Sequence, residues 1–247
     1  MRLAWEQARN KKTTNNIYTL KFYLLMETKV STGTAVMDWL LEGGYDKSVI
    51  TTIYGPAGSG KSNLCLLCIA NSVKGQKVIF IDTEGNFSTT RFKQLCPDYK
   101  KALERIIFLK PTNFREQQAS LAKLKTLMKQ DIGIIFVDSI SSLCRAALQS
   151  DDNREINNRM ATQVHDLLEI ARKKDIPIIM TAQVYADFEE KGKVNLAGGA
   201  IIRNMSKCLI ELQASGPNRV AIIRKHRSIE EGKKIMFRIV DEGIKEV

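Results

Sequence analysis

Gly55-Pro56-Ala57-Gly58-Ser59-Gly60-Lys61-Ser62 is a full match to G-x-x-x-x-G-K-[ST], the pattern of a loop that wraps nucleotide phosphates. Glycine is required there because positive φ and missing side chains let successive backbone N–H groups close around phosphate oxygens. In that reading Lys61 sets an ammonium against the β- and γ-phosphates, and the Ser62 hydroxyl ligates Mg²⁺. Asn63 comes directly after and is grouped with the loop as a nucleotide contact. The flanks agree with this reading. Val49–Tyr54 is β-branched and bounded by charge and glycine, as a strand is. Leu64, Leu67, Cys68 and Ala70 recur at helical spacing, so the loop opens a helix whose N-terminus favours anions.

Beyond the loop, residues 77–82 (Lys-Val-Ile-Phe-Ile-Asp) and 132–138 (Ile-Gly-Ile-Ile-Phe-Val-Asp) are continuous apolar runs, the signature of buried parallel strands. Each ends in an acid. Asp138 closes the second run about 80 residues after the phosphate loop, where a carboxylate holds the Mg²⁺ shell that Ser62 touches. Glu84 lies in the turn after the first run. That strand is expected to neighbour the phosphate-loop strand, which puts Glu84 within reach of a water at the γ-phosphate. Further strands are expected at 106–109 and 176–181, with Gln183 at the tip of the latter, placed to sense the γ-phosphate. Helices are expected over 91–103 and 114–130, the latter with Ala119, Leu121, Leu124, Leu127 and Met128 on one face. A long helix runs through Ile156, Met160, Val164, Leu167 and Ala171. Residues 184–199 are polar and aperiodic, as a loop would be. Strands at 208–213, 219–225 and 235–240, joined by turn sequences, form an antiparallel meander. The fold class is therefore α/β, a mostly parallel twisted sheet with helices on both faces and a C-terminal antiparallel extension.

The formal charge of +11 is unevenly spread: between Lys191 and Lys234 ten Lys/Arg face three Glu. Such a sector attracts polyanions, nucleic acid above all; a merely solvated surface is the alternative. Five cysteines, an odd number, imply reduced thiols. Cys65 and Cys68 form C-x-x-C, but inside a helix of apolar neighbours they read as packing rather than metal or redox chemistry. No apolar run reaches the ~20 residues that span a bilayer, so no membrane role and a cytoplasmic location are expected. Residues 1–25 are basic and differ in character from the remainder of the chain. They read either as an extension ahead of a true start at Met26 or as a basic arm that docks or contacts DNA; a poorly ordered tail is expected, with residues 26–247 forming one domain.

Taken together, Leu40–Gly44, the phosphate loop, Ile81–Phe87, Val137–Ser139 and Thr181–Val184 resemble, in order and spacing, the core of the RecA-type recombinase family. The resemblance runs from about Val30 to Val247 and points to a short archaeal paralogue of the strand-exchange enzymes. It implies ATP and Mg²⁺ as ligands, Glu84 as the water-activating glutamate, Arg91 as an arginine stacked on adenine, and Asp138 as the metal-shell acid. It implies that Gln183 opens, and Gly198-Gly199 close, a DNA-binding loop. Arg145 falls in the segment of another such loop, and Lys191, Lys193 and Arg203 are expected phosphate contacts.

Two departures from the family bear on activity. Only 54 residues precede the phosphate loop, too few for the family's N-terminal helix-hairpin-helix domain. None of the nine phenylalanines begins the Phe-x-x-Ala segment by which these enzymes polymerise. Strand exchange needs a filament, so the pattern implies an accessory protein of recombination and repair. Such a protein binds ATP and DNA, hydrolyses weakly, and works beside the main recombinase, a Holliday-junction resolvase or a replicative polymerase. The alternatives are a filament-forming recombinase with DNA-dependent turnover, and an ATPase of the KaiC or helicase type. An assembly of identical chains is compatible with each.

Overall fold

Strands that are apolar along their whole length must be covered on both faces, and the computed structural model arranges them so. It describes residues 28–72, 75–148, 153–186, 194–196 and 199–247. The order of elements is β1 (Lys29–Val30), α1 (Ala35–Leu40), β2 (Tyr45–Asp46), β3 (Ile50–Gly55), α2 (Lys61–Ser72) and β4 (Lys77–Asp82). Then come α3 (Thr89–Leu95), α4 (Tyr99–Leu103), β5 (Ile106–Leu109), α5 (Phe114–Leu127), β6 (Ile132–Asp138), α6 (Ser142–Ala147) and α7 (Asn153–Lys174). The last elements are β7 (Ile178–Ala186), β8 (Val194–Leu196), α8 (Gly199–Met205), β9 (Cys208–Ser215), β10 (Asn218–Lys225), β11 (Lys234–Val240) and β12 (Gly243–Glu246).

The main sheet runs β5-β4-β6-β7-β3-β9-β10-β11-β12, with β8 paired to β7. Strands β5 to β9 are parallel along that path, and β9 to β12 form the antiparallel extension. One face of the sheet packs on α1, α2 and α3 through Leu40, Cys65, Cys68, Ile69 and Phe92. The other packs on α5, α7 and α8 through Leu124, Met160, Leu167 and Ile202. At about 1.5–3 kcal/mol for each fully buried side chain of this size, these two layers hold the parallel core together.

Several expectations change. Strand β4 does not neighbour β3; β6 and β7 lie between them, because the crossover through α2 skips two places that later strands fill. The helix expected over 91–103 is two helices. Pro97 disfavours helical backbone at the residue before it, and Cys96 is extended at φ −133°, ψ 101°. On α5, Ala119 is exposed, and the buried face runs through Phe114, Gln117, Ser120, Leu121 and Leu124. Leu121, Leu124 and Met128 are buried as expected and Leu127 is half-buried, while polar Gln117 and Ser120 widen the buried face. The burial of Gln117 is offset by donation to Ile140 O at 3.2 Å and Gln163 Oε1 at 2.8 Å. The strand expected to end at 181 continues as β7 through Ala186, so part of the expected loop is sheet. A fourth C-terminal strand, β12, joins the meander.

The five cysteines are buried thiols. Burial pushes Cys208 up to about 12 and Cys144 to about 11, so neither is a ready thiolate. Among the described residues no group of three or more His, Cys, Asp or Glu is placed to hold a metal.

Candidate nucleotide site

The phosphate loop is shaped by what its glycines permit. A Cβ on Gly55 would lie 2.3 Å from the Leu212 carbonyl oxygen, so only glycine lets β3 end this close to β9. Gly58 and Gly60 stand at φ +72° and +102°, the left-handed region that glycine adopts without strain. The loop then delivers Lys61 as the first residue of α2. Its ammonium donates to Gly55 O at 2.9 Å and Pro56 O at 2.8 Å, so the cation sits inside the curve of the loop. Burial lowers its pKa, while Asp138 and Glu84 oppose the shift.

Asp138 ends β6 with its carboxylate buried. Thr181 Oγ1, on the neighbouring β7, donates to its Oδ1. Burial raises its pKa, whereas Thr181 and the Ser62 hydroxyl favour the ionised form. Oδ2 has no hydrogen-bond partner among the described residues. A buried carboxylate oxygen with a serine hydroxyl close by is a hard-oxygen donor set, the kind Mg²⁺ takes.

Glu84 arrives by a different route from the one expected. Although β4 is three places from β3, Asp82 and Asp138 are register partners at the ends of β4 and β6. Asp82 then accepts the backbone N–H groups of Asn86 at 3.0 Å and Phe87 at 3.3 Å, which folds the intervening turn. That turn presents Glu84 to the group. Its Oε1 accepts Ser139 Oγ at 2.7 Å and Gln183 Nε2 at 3.0 Å, and its Oε2 accepts Asn86 Nδ2 at 2.8 Å. Gln183 lies on β7 as the register partner of Gly55. Its other end accepts Arg145 Nη2 at 2.9 Å.

The C-terminal extension closes the site from the far side. Arg219 Nε on β10 donates to Gly58 O at 3.2 Å, and the space beside Gly60 is filled by Ile239 Cδ1. Arg91 donates through Nε to Asn63 Oδ1 at 2.7 Å, and through its terminal nitrogens to Val240 O, Asp241 O and Gly243 O at 2.7, 2.9 and 3.1 Å. A fifth bond reaches Gln94 Oε1 at 2.9 Å. All five N–H donors on the edge of the guanidinium are thus bonded.

The residues singled out in the sequence therefore separate into two sets. The loop Gly55 to Ser62, Asn63, Glu84, Arg91, Asp138, Gln183 and Arg145 form one connected group. Arg203 is exposed on α8, where its carbonyl accepts Lys225 Nζ at 2.7 Å and its charge acts on Tyr54. Lys191, Lys193 and Gly198 lie outside the described residues, as do residues 1–25. Sequence reasoning missed Ser139, Thr181 and Arg219. The first two stood in motifs already quoted, beside better-known letters. Arg219 carried no local signal, being 161 positions from its partner Gly58.

Comparison with known proteins adds to this geometry. The sequence profile described as Rad51 matches residues 26–247. The DNA repair and recombination protein RadB of Methanobrevibacter smithii is 37% identical over 227 residues, covering 87% of this chain and 95% of that protein. Its namesake from Methanococcoides burtonii is 38% identical over 213 residues, covering 85% and 94%. Among solved structures, the crystal structure of the RadB recombinase superposes with a TM-score of 0.76 at 34% identity, covering 88% of this chain and 99% of that one.

Proposed function

Since the chain belongs to the Rad51 family, within its RadB group of DNA repair and recombination proteins, we propose that it is an ATP- and DNA-binding accessory factor of homologous recombination with a weak ATPase. One observation carries the ATPase half: Lys61, Asp138 and Glu84, from three separated strand ends, come close enough to act on one another electrostatically, and Glu84 is tied by hydrogen bonds to Ser139, next to Asp138, and to Gln183, the register partner of Gly55. In it, the backbone N–H groups of 57–62 and the Lys61 ammonium bind the phosphates, Lys61 exchanging its carbonyl partners for phosphate oxygens. Ser62 and the unpartnered Oδ2 of Asp138 would hold Mg²⁺, which supplies positive charge against the β- and γ-phosphates. A carboxylate accepts about four hydrogen bonds. Glu84 already accepts three, and the fourth orients the attacking water. The flat face of Arg91 takes the adenine.

The DNA half rests on charge. Arg203, with Lys191 and Lys193, supplies phosphate contacts, and Arg145 keeps donors for the same use after bonding Gln183. The protein works in the cytoplasm beside the main recombinase or a Holliday-junction resolvase; among the described residues no helix is long and apolar enough to cross a membrane. A strand-exchange recombinase is the second reading, favoured by the completeness of the catalytic set.

The deciding experiment measures single-stranded DNA binding with and without ATP at two salt concentrations, for wild type and Lys61→Ala, with turnover recorded in parallel. Binding that weakens with salt, responds to ATP only when Lys61 is present, and leaves a slow turnover unchanged is the expected outcome. Turnover raised many-fold by DNA would replace the accessory reading with the recombinase.

A further inference from the structure

Arg145 is exposed on α6, yet its guanidinium ends on the nucleotide site rather than in solvent. Its Nη2 donates to Gln183 Oε1 at 2.9 Å, and Gln183 Nε2 donates onward to Glu84 Oε1 at 3.0 Å. A primary amide has one accepting and one donating end, and its shape does not tell them apart. A guanidinium only donates, so it removes the ambiguity. With Oε1 turned to Arg145, the amide hydrogens must face Glu84.

A second path leads from the same helix to the same oxygen. Ser142, the first residue of α6, donates its backbone N–H to Ser139 Oγ at 3.3 Å, and Ser139 Oγ donates to Glu84 Oε1 at 2.7 Å. The Ser142 hydroxyl also meets Thr83 Oγ1 at 2.9 Å, beside Glu84 in sequence. Helix α6, Ser139, Glu84, Gln183 and Arg145 therefore close a ring of hydrogen bonds in which one carboxylate oxygen is held from both sides.

We propose that Arg145 is a positioning residue for ATP turnover: it fixes the orientation of the Gln183 amide and, through it, the Glu84 carboxylate. This rests on the reading of Glu84 as the water-orienting group. Arg145 acts through the Gln183 amide, so its loss is expected to slow the chemical step rather than to weaken nucleotide binding.

The test is single-turnover ATP hydrolysis without DNA, with nucleotide affinity measured by a fluorescent ATP analogue, for wild type, Arg145→Ala, Arg145→Lys, Gln183→Ala, the double variant Arg145→Ala/Gln183→Ala, and Glu84→Gln. Arg145→Ala is expected to slow hydrolysis on the order of tenfold with affinity within about twofold of wild type. Arg145→Lys, which keeps one donor, should recover part of the rate. The double variant should be no slower than the slower single variant, because the two residues act as one unit. A normal rate for Arg145→Ala while Glu84→Gln is slowed tenfold or more overturns the proposal alone. A loss of nucleotide affinity with Arg145→Ala also overturns it. A normal rate for Glu84→Gln removes the reading of Glu84 and this proposal with it.

Discussion

A methyl group at position 55 has nowhere to go, since the atom it meets is the Leu212 backbone oxygen at 2.3 Å and not a side chain that can turn aside. Gly55→Ala must push β9 from β3. A cost of about 1–3 kcal/mol is expected, read by urea denaturation, together with weaker ATP binding. His226 makes a different demand. Its side chain is buried, and its Nδ1 accepts the backbone N–H groups of Ser228 at 3.1 Å and Ile229 at 3.2 Å, so its proton sits on Nε2, 3.4 Å from Asp46 Oδ2. Burial lowers its pKa, Asp46 and Glu42 oppose, and Lys29 and Arg227 add to the lowering. As the pH falls, the unfolded chain therefore takes up this proton first, near the ordinary 6.5. Stability is full above about pH 6.5 and declines as the pH falls from there through the lowered folded value. His226→Gln should flatten that part of a stability–pH curve.

At the scale of elements, Arg91 on α3 is a joint between α2 and the turn linking β11 to β12, because its bonds run to Asn63 and to three carbonyls of residues 240–243. Lysine cannot reproduce a planar fork of five donors. Arg91→Lys is expected to raise amide hydrogen exchange across 235–246 while leaving exchange in β6 unchanged; equal exchange in both proteins would count against the joint. The same helix also illustrates what single-sequence reading misses. Pro97 stood in plain view inside the stretch 91–103 expected as one helix. On α5 two polar residues that reach the core, Gln117 and Ser120, widen the buried face beyond its apolar positions. Hydrophobic periodicity finds helices well and fails where burial is compensated by hydrogen bonds.

For the molecule as a whole, motifs that are contiguous in sequence gave the parallel core, the phosphate loop, Glu84, Asp138 and Gln183, since each depends on a strand end and a short turn. Strand order was not legible, because it depends on which later strands fill the gap between β3 and β4, and no local pattern encodes that. Nor was the inward grip of Arg219 or Ile239. Charge acts at this scale too: with +11 on the chain, the affinity for a single strand should fall linearly on a double-logarithmic plot against salt, and Arg203→Ala should reduce the slope by roughly 0.7.

The hairpins that grip the phosphate loop also impose an order in time. A chain leaving the ribosome has exposed its glycine loop, Lys61, Glu84 and Asp138 long before residues 219 and 239–243 are made. Until those last strands emerge, Arg91 has no carbonyls to hold and Gly58 has no arginine. Chains stalled before residue 219 should therefore bind ATP more weakly than chains carried past residue 243, so that tight nucleotide binding reports that these hairpins have been made.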